Sequence, residues 1–564
     1  MSYAGLIRAL LFLVIFVIAR DCRADSVAPH TSDFVVSVGS ISELRKVVPP
    51  NNEATVNVLG YYRAGDGGGG PIRFWSPESN CIDNGGSCID PEPKNGRQGR
   101  WVWEYSGPVN ALWFGAIGDF RYQTSKGTNN RSFIQAALNA AVSSEGTGAV
   151  FLPNGQYLVS TESGAIHIPE GVEFYGEGGV QTRRPVKQVH GTKLCIRGKL
   201  HSAFQYGRGS YIHNLNIDYP DQATDPITPE VYPPCFDKGK TSGARTIFEN
   251  LIFDRCYFAF NASGGTFLNN VHGTFYRAFI RINNSSALSH ITNCSSSAMW
   301  HLGKQKNTLA FQQDNLIWLE ISGGADGLLI GDCSVFIAHK LISVVNGDSV
   351  NFFRVSNLLG DGVVLPLDTD GSVKILSMQF DNCMFRLDNN HGKRKPSAAI
   401  IINSTVPKFY SDRVVQFNNC RFRVAQGGLV HITGGGIDKF ILNDCTVHDW
   451  NKSGGKDPNR MSIVHVDTDS VDLQIHGGMF DNFHQNRKGI PSTVVTFSSS
   501  KSEGRTVSIV GLVVKNVEHV IHYRKAAAVE VATMVGNTGV GVEHPIRKET
   551  GATVFREVEV GNNW

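Results

Sequence analysis

An eight-residue pattern, apolar-x-apolar-x-(Asn/Asp)-apolar-x-apolar, recurs along most of this chain and constrains its fold more than any other feature. Copies stand at 246–253 TIFENLIF, 266–273 TFLNNVHG, 289–296 SHITNCSS, 328–335 LLIGDCSV, 353–360 FRVSNLLG, 378–385 MQFDNCMF, 415–422 VQFNNCRF and 440–447 FILNDCTV. A first copy is 210–217 SYIHNLNI, and weaker late ones are 473–480 LQIHGGMF and 507–514 VSIVGLVV. The fifth position runs through Asn214, Asn250, Asn270, Asn293, Asp332, Asn357, Asn382, Asn419 and Asp444, in steps of 36, 20, 23, 39, 25, 25, 37 and 25 residues. A unit of about 20–25 residues with occasional insertions is the signature of a solenoid. Alternation inside each copy says strand, not helix. The two apolar pairs flank a bend that reverses the phase, so both pairs face one interior. Asn tolerates the left-handed backbone that such a bend requires. The expected fold is all-β: a single-stranded right-handed parallel β-helix, its coils about 4.8 Å apart, with the bend residues stacked as an Asn ladder.

The repeat also explains the cysteines. Cys294, Cys333, Cys383, Cys420 and Cys445 take the position held in other copies by Leu215, Leu251, Val271 and Leu358, so they read as small buried hydrophobes. One Cys per coil lacks the paired spacing of a zinc site. No run of Asp or Asn has the pattern of a calcium loop. No metal and no cofactor are expected. Cys81 and Cys88 bracket the turn-rich Ile-Asp-Asn-Gly-Gly-Ser and are the one disulfide expected.

With 53 Lys+Arg against 50 Asp+Glu the net charge is +3, too small for a nucleic-acid binder driven by counterion release. Arg8, the apolar run from Ala9 to Ala19, and Cys22 and Ala24 at the −3 and −1 positions read as a cleaved secretory signal over 1–24. The run is short of the roughly 20 residues of a membrane span. The mature protein is therefore expected to be periplasmic or secreted, with no membrane attachment.

Residues 129–144 carry one apolar face, Phe133, Ile134, Ala137, Leu138 and Ala141, and read as a helix capped by Thr128 or Asn129 that covers the open end of the solenoid. Trp113-Phe114-Gly115-Ala116-Ile117-Gly118-Asp119, this helix, VFLPNGQYLV, IPEGVEFYGEG and YIHNLNI together resemble the entry of the pectate-lyase-superfamily β-helices. Phage tailspikes and exopolysaccharide-processing glycanases belong to that group. The preceding SISELRKVVPPNNEATVNVLGYYRAGDGGGGPIRFWSPES and GRWVWEYSGPVN also resemble tailspike-like proteins. In place of the acids that usually precede the helix in that family, this chain has Asn129 and Asn130. The GDGGGG stretch at 65–70 has no following Lys or Ser/Thr and reads as a flexible hairpin tip, not a phosphate loop. The expected division is a signal at 1–24, a tailspike-like head at 25–107, the β-helix at 108–545 and a tail at 546–564. Tailspike-like relatives often trimerise; the tail has no heptad pattern, so monomer and homotrimer both stay open.

The long steps place insertions near 218–245, 297–327 and 384–412. Coils between the first two carry acids, cations and rings, which marks a candidate groove from about Glu249 to Glu320. Glycoside hydrolysis uses two carboxyl groups about 5–5.5 Å apart for retention or 6.5–9.5 Å for inversion. Glu249, Asp254, Asp314 and Glu320 are the candidate acids. Tyr276, Trp300 and Trp318 are candidate sugar platforms. Arg277 and Arg281 are candidate substrate cations, which a β-elimination lyase would use to stabilise a uronate. The reading is an exported enzyme cleaving a bacterial exopolysaccharide or capsule, by hydrolysis ahead of β-elimination. A non-catalytic glycan-binding or surface-structural β-helix is the rival of another class.

Overall fold

The computed structural model describes residues 35–92, 98–142, 148–178, 191–239, 245–285, 287–297, 305–346, 349–387, 392–393, 396–404, 413–424, 427–451, 456–468, 471–483, 491–499, 505–525 and 527–564. The expected signal segment and Trp300 lie outside these residues. Among the described residues no helix is long and apolar enough to cross a membrane.

The head is one five-stranded sheet. Val35–Val38 pairs in parallel with Thr55–Val58, and Arg73–Ser76, Arg100–Trp103 and Cys88–Ile89 follow as antiparallel neighbours. Ile41, Leu44, Val56, Trp75 and Trp101 form its small core. Cys81 and Cys88 are bonded across their turn, Cα to Cα 6.3 Å. The glycine-rich stretch is tied to one carboxylate: Asp66 accepts from the backbone N–H groups of Tyr61, Tyr62, Arg63 and Gly68.

The helix Arg131–Ala141 buries Ile134, Ala137, Leu138 and Ala141 against the first coil. Its N-cap residue is Asn130, whose carboxamide instead accepts from Ile117 N at 2.7 Å and donates to Thr128 O at 2.8 Å. Asn129 takes part at the start by accepting from the Arg131 N–H.

From Ala149 onward the chain winds into a parallel β-helix with three strand faces. Face I precedes each bend, face II follows it, and face III closes the coil. Ser377–Asp381, Met384–Leu387 and Ala398–Asn403, for instance, stack in register on Val414–Asn418, Arg421–Val424 and Gly428–Thr433. All the bend residues named above sit in the left-handed region, with φ between 49° and 57°. Carboxamides link successive bends: Asn250 donates to Asn214 at 3.1 Å, Asn270 to Asn250 at 2.7 Å, Asn357 to Asp332 at 2.9 Å and Asn419 to Asn382 at 2.8 Å. In the late copies Gly477 and Gly511 take the bend with φ of 63° and 66°, which explains why the Asn signal fades there.

The five repeat cysteines are free and buried. Each thiol donates to the carbonyl two residues earlier, from Cys294 to Thr292 at 3.2 Å through Cys445 to Asn443 at 3.4 Å. The side chain thus fills the core and also satisfies a carbonyl at the bend.

The segment 546–564 is not a separate tail. Ile546–Lys548 and Thr553–Val560 pair with 521–523 and 528–535 and form the last turns of the solenoid. Arg556, Glu557 and Glu559 interrupt the apolar pattern there.

The three insertions meet around the helix Lys306–Asn315. Thr308 N donates to Asp225 Oδ1, Gly392 N to Gln313 Oε1 and Lys393 N to Asp314 Oδ1, each at 2.7 Å.

Candidate active site

On face I the alternation buries Phe174, Ile212, Phe248 and Leu268 and turns their neighbours outward. Register then sets the outward residues side by side. Phe151, Tyr175, His213, Glu249 and Asn269 form one row across successive coils, with Glu173 and Tyr211 in the adjacent row. Tyr175 and His213 stack at 5.0 Å, and His213 and Tyr211 at 4.2 Å.

Two carboxylates converge on the strand between them. Glu173 Oε1 lies 2.8 Å from His213 Nε2 on one side. From the other side Glu249 accepts from the Tyr211 hydroxyl and, at 2.8 Å, from Asn269 Nδ2. Glu173 and Glu249 stand two coils apart, roughly 10 Å along the stack, but both side chains reach toward the Tyr211/His213 pair. The Tyr211 hydroxyl, helped by the Asn269 amide, holds Glu249 below the usual carboxylate range. Burial and the bond to Glu249 push Tyr211 up to about 12, so it stays a donor. An ionised carboxylate, a second half-exposed one and an imidazole between them have the composition of an acid–base site.

The four candidate acids do not converge. Glu249 belongs to this face I cluster. Asp254 is on face II, where it pairs in register with Asp218. Asp314 is on the insertion helix and binds the Lys393 N–H, so it joins two insertions. Glu320 is on face III, 8% exposed, and takes Arg281 Nε at 2.7 Å. The candidate platforms are also corrected. Trp318 is fully buried and stacks on Phe279 at 5.3 Å. Tyr276 is fully buried, with its hydroxyl on Ala223 O at 3.3 Å under the first insertion. Arg277 donates to Asn315 O at 3.4 Å at the C-terminal end of the insertion helix.

Sequence reasoning missed Glu173, Tyr211, His213 and Asp218. Tyr211 and His213 were legible as outward positions of the first octamer. Asp218 and Asp254 each follow the last apolar residue of consecutive copies, a signal for in-register acids. Asp218 is buried and consumed: Arg255 donates to it through Nη2 at 2.8 and 2.6 Å and through Nε at 3.0 Å, and the Tyr122 hydroxyl donates as well. Glu173 had no such signal, because its coil lacks the octamer. Among the described residues no group of three or more His, Cys, Asp or Glu is placed to hold a metal ion.

Comparison with known proteins bears on the fold. Residues 37–106 match the family model of a phage tail protein small four-stranded β-sheet domain. A tailspike variant of E. coli bacteriophage HK620, in complex with a pentasaccharide, is similar with 10% identity, a TM-score of 0.50 and coverage of 85% of each chain. A tailspike from Acinetobacter baumannii bacteriophage Fri1, a capsular polysaccharide depolymerase, shares 13% identity over 92% of this chain and 76% of its own, with a TM-score of 0.39. A mannuronan C-5 epimerase module of Azotobacter vinelandii shares 12% identity over 81% of this chain and 98% of its own, also at 0.39. The chain shares the tailspike parallel β-helix fold, and its head is similar to a phage tail domain.

Proposed function

We propose that this protein is an exported carbohydrate-active enzyme, periplasmic or secreted, that hydrolyses a bacterial exopolysaccharide or capsule on face I. The observation that carries the reading is the convergence of Glu173 and Glu249 on the Tyr211/His213 pair, on a solvent-facing row flanked by aromatic rings. The HK620 tailspike, which shares the fold, is known in complex with a pentasaccharide, and that supports a glycan ligand. Glu249, kept ionised by neutral donors, is the general base that activates a water. Glu173 with His213 supplies the proton to the leaving oxygen.

The test incubates the mature chain with capsule and exopolysaccharide preparations and follows reducing ends and the absorbance of unsaturated uronates. New reducing ends without unsaturation, lost in Glu249→Gln and Glu173→Gln variants that unfold like wild type, are the expected result. Unsaturated products would replace hydrolysis with β-elimination. Wild-type rates in both variants would remove the catalytic role from face I and leave a glycan-binding β-helix.

A further inference from the structure

We infer that face I takes a neutral, amide- and hydroxyl-rich glycan and not a uronate polymer. The glycan runs from an aromatic ledge at Phe151 and Tyr175, across Glu249, into a carboxamide-lined groove at the Asn bends. This rests on the reading of face I as the glycan site and adds the substrate class and its path.

Charge is the first argument. The face I segments 149–152, 173–176, 211–213, 246–249, 266–269, 289–292 and 328–331 contain no Lys or Arg. Glu173 and Glu249 are their acids, and Asp332, at the far end of the groove, is a third. A uronate would bring its carboxylate against these acids, with no Lys or Arg on these segments to offset it. Of the cations on the flanking coils, Arg281 is engaged with Glu320 on face III and Arg277 with the end of the insertion helix, while Arg208 and Arg245 lie before their face I strands and not on them. Elimination beside a uronate needs that carboxylate neutralised, so the same charge pattern favours hydrolysis.

The groove is the second argument. Asn269, Asn270, His272, Asn293, Ser295 and Ser334 line an opening at the corner of faces I and II. Here the bend ladder changes course. Asn293 donates to Asn269 Oδ1 at 3.1 Å, not to Asn270, while Asn270 Oδ1 lies 2.6 Å from His272 Nε2. Burial pushes His272 down, so it is uncharged at neutral pH. Carboxamides and hydroxyls both donate and accept, which matches sugar hydroxyls and N-acyl groups. Asn269 bonds Glu249 and also lines the groove, so the two parts are continuous. At the other end Phe151, Tyr175 and His213 offer apolar ring surface, with Phe151 and Tyr175 at 5.2 Å.

The experiment is affinity electrophoresis of the full-length Glu249→Gln chain at low salt. Gels contain a neutral N-acetylhexosamine O-antigen polysaccharide, dextran, alginate or polygalacturonate. Retardation by a neutral polysaccharide and not by alginate or polygalacturonate is expected. Adding Tyr175→Ala should weaken it at least tenfold with unfolding unchanged, and adding Thr292→Lys should bring uronate retardation. Retardation by either uronate polymer without that Lys, neutral retardation indifferent to Tyr175→Ala, or no retardation in any gel overturns the inference. Uronate retardation together with cleavage abolished by Glu249→Gln would refute the substrate class and leave the hydrolytic site standing. Neutral retardation with undiminished cleavage by Glu249→Gln would do the reverse.

Discussion

Glu249 and Glu320 stand on two faces of the same solenoid and are held in opposite ways. Glu320 lies against the Arg281 guanidinium and is nearly buried, so its charge is spent on a neighbour. Glu249 is held by a phenol and a carboxamide, which stabilise the ionised form without cancelling it. Both are candidate acids in the sequence, Glu249 on a repeat copy and Glu320 within the 297–327 insertion. The comparison teaches that in a solenoid the partner, set by the residue one coil away, separates a structural carboxylate from one with charge to offer.

The largest effect expected from breaking this contrast is on turnover. Glu249→Gln should lower kcat by about three orders of magnitude or more, roughly 4 kcal/mol in barrier, with stability unchanged, measured by reducing-end release and chemical unfolding. Trp318→Ala should cost about 3–5 kcal/mol of stability, because it opens a cavity in the solenoid core beside Phe279. Glycan affinity of the protein that stays folded should be unchanged, a direct check that Trp318 is core and not platform. Glu320→Gln should lose about 2 kcal/mol of stability, the scale of a hydrogen bond to a charged group, and keep near wild-type turnover. A fall in turnover like that of Glu249→Gln would move the site to face III.

The smallest expected effect is a pH shift. Tyr211 is the main reason Glu249 lies below the usual carboxylate range, so activity that needs ionised Glu249 should persist below that range as pH falls. Tyr211→Phe removes the donor, raises the Glu249 pKa and should move the acid limb of the pH–rate profile to higher pH. The sign for stability is the same. A depressed carboxylate stabilises the fold above its unfolded pKa and loses that contribution as pH falls through the folded one. An acid limb unmoved in Tyr211→Phe would mean another group controls it.

The solenoid was legible in the sequence because it is built from local rules repeated. Alternation sets which side chains face inward, Asn tolerates the left-handed bend, and a recurring step makes coils stack, so the Asn row, the buried cysteines and the three insertions followed from residues alone. Only the tertiary structure decided the site. Outward side chains at the same phase of the repeat look alike in sequence, and what each one meets depends on register and on the insertions. Register put Arg281 beside Glu320 and Tyr211 beside Glu249. Tyr276 was taken out of solvent by an insertion that folds back over its coil, Trp318 by stacking on Phe279 in the solenoid core, and Glu173, in a coil without the octamer, entered the site only when its strand stacked beside that of His213.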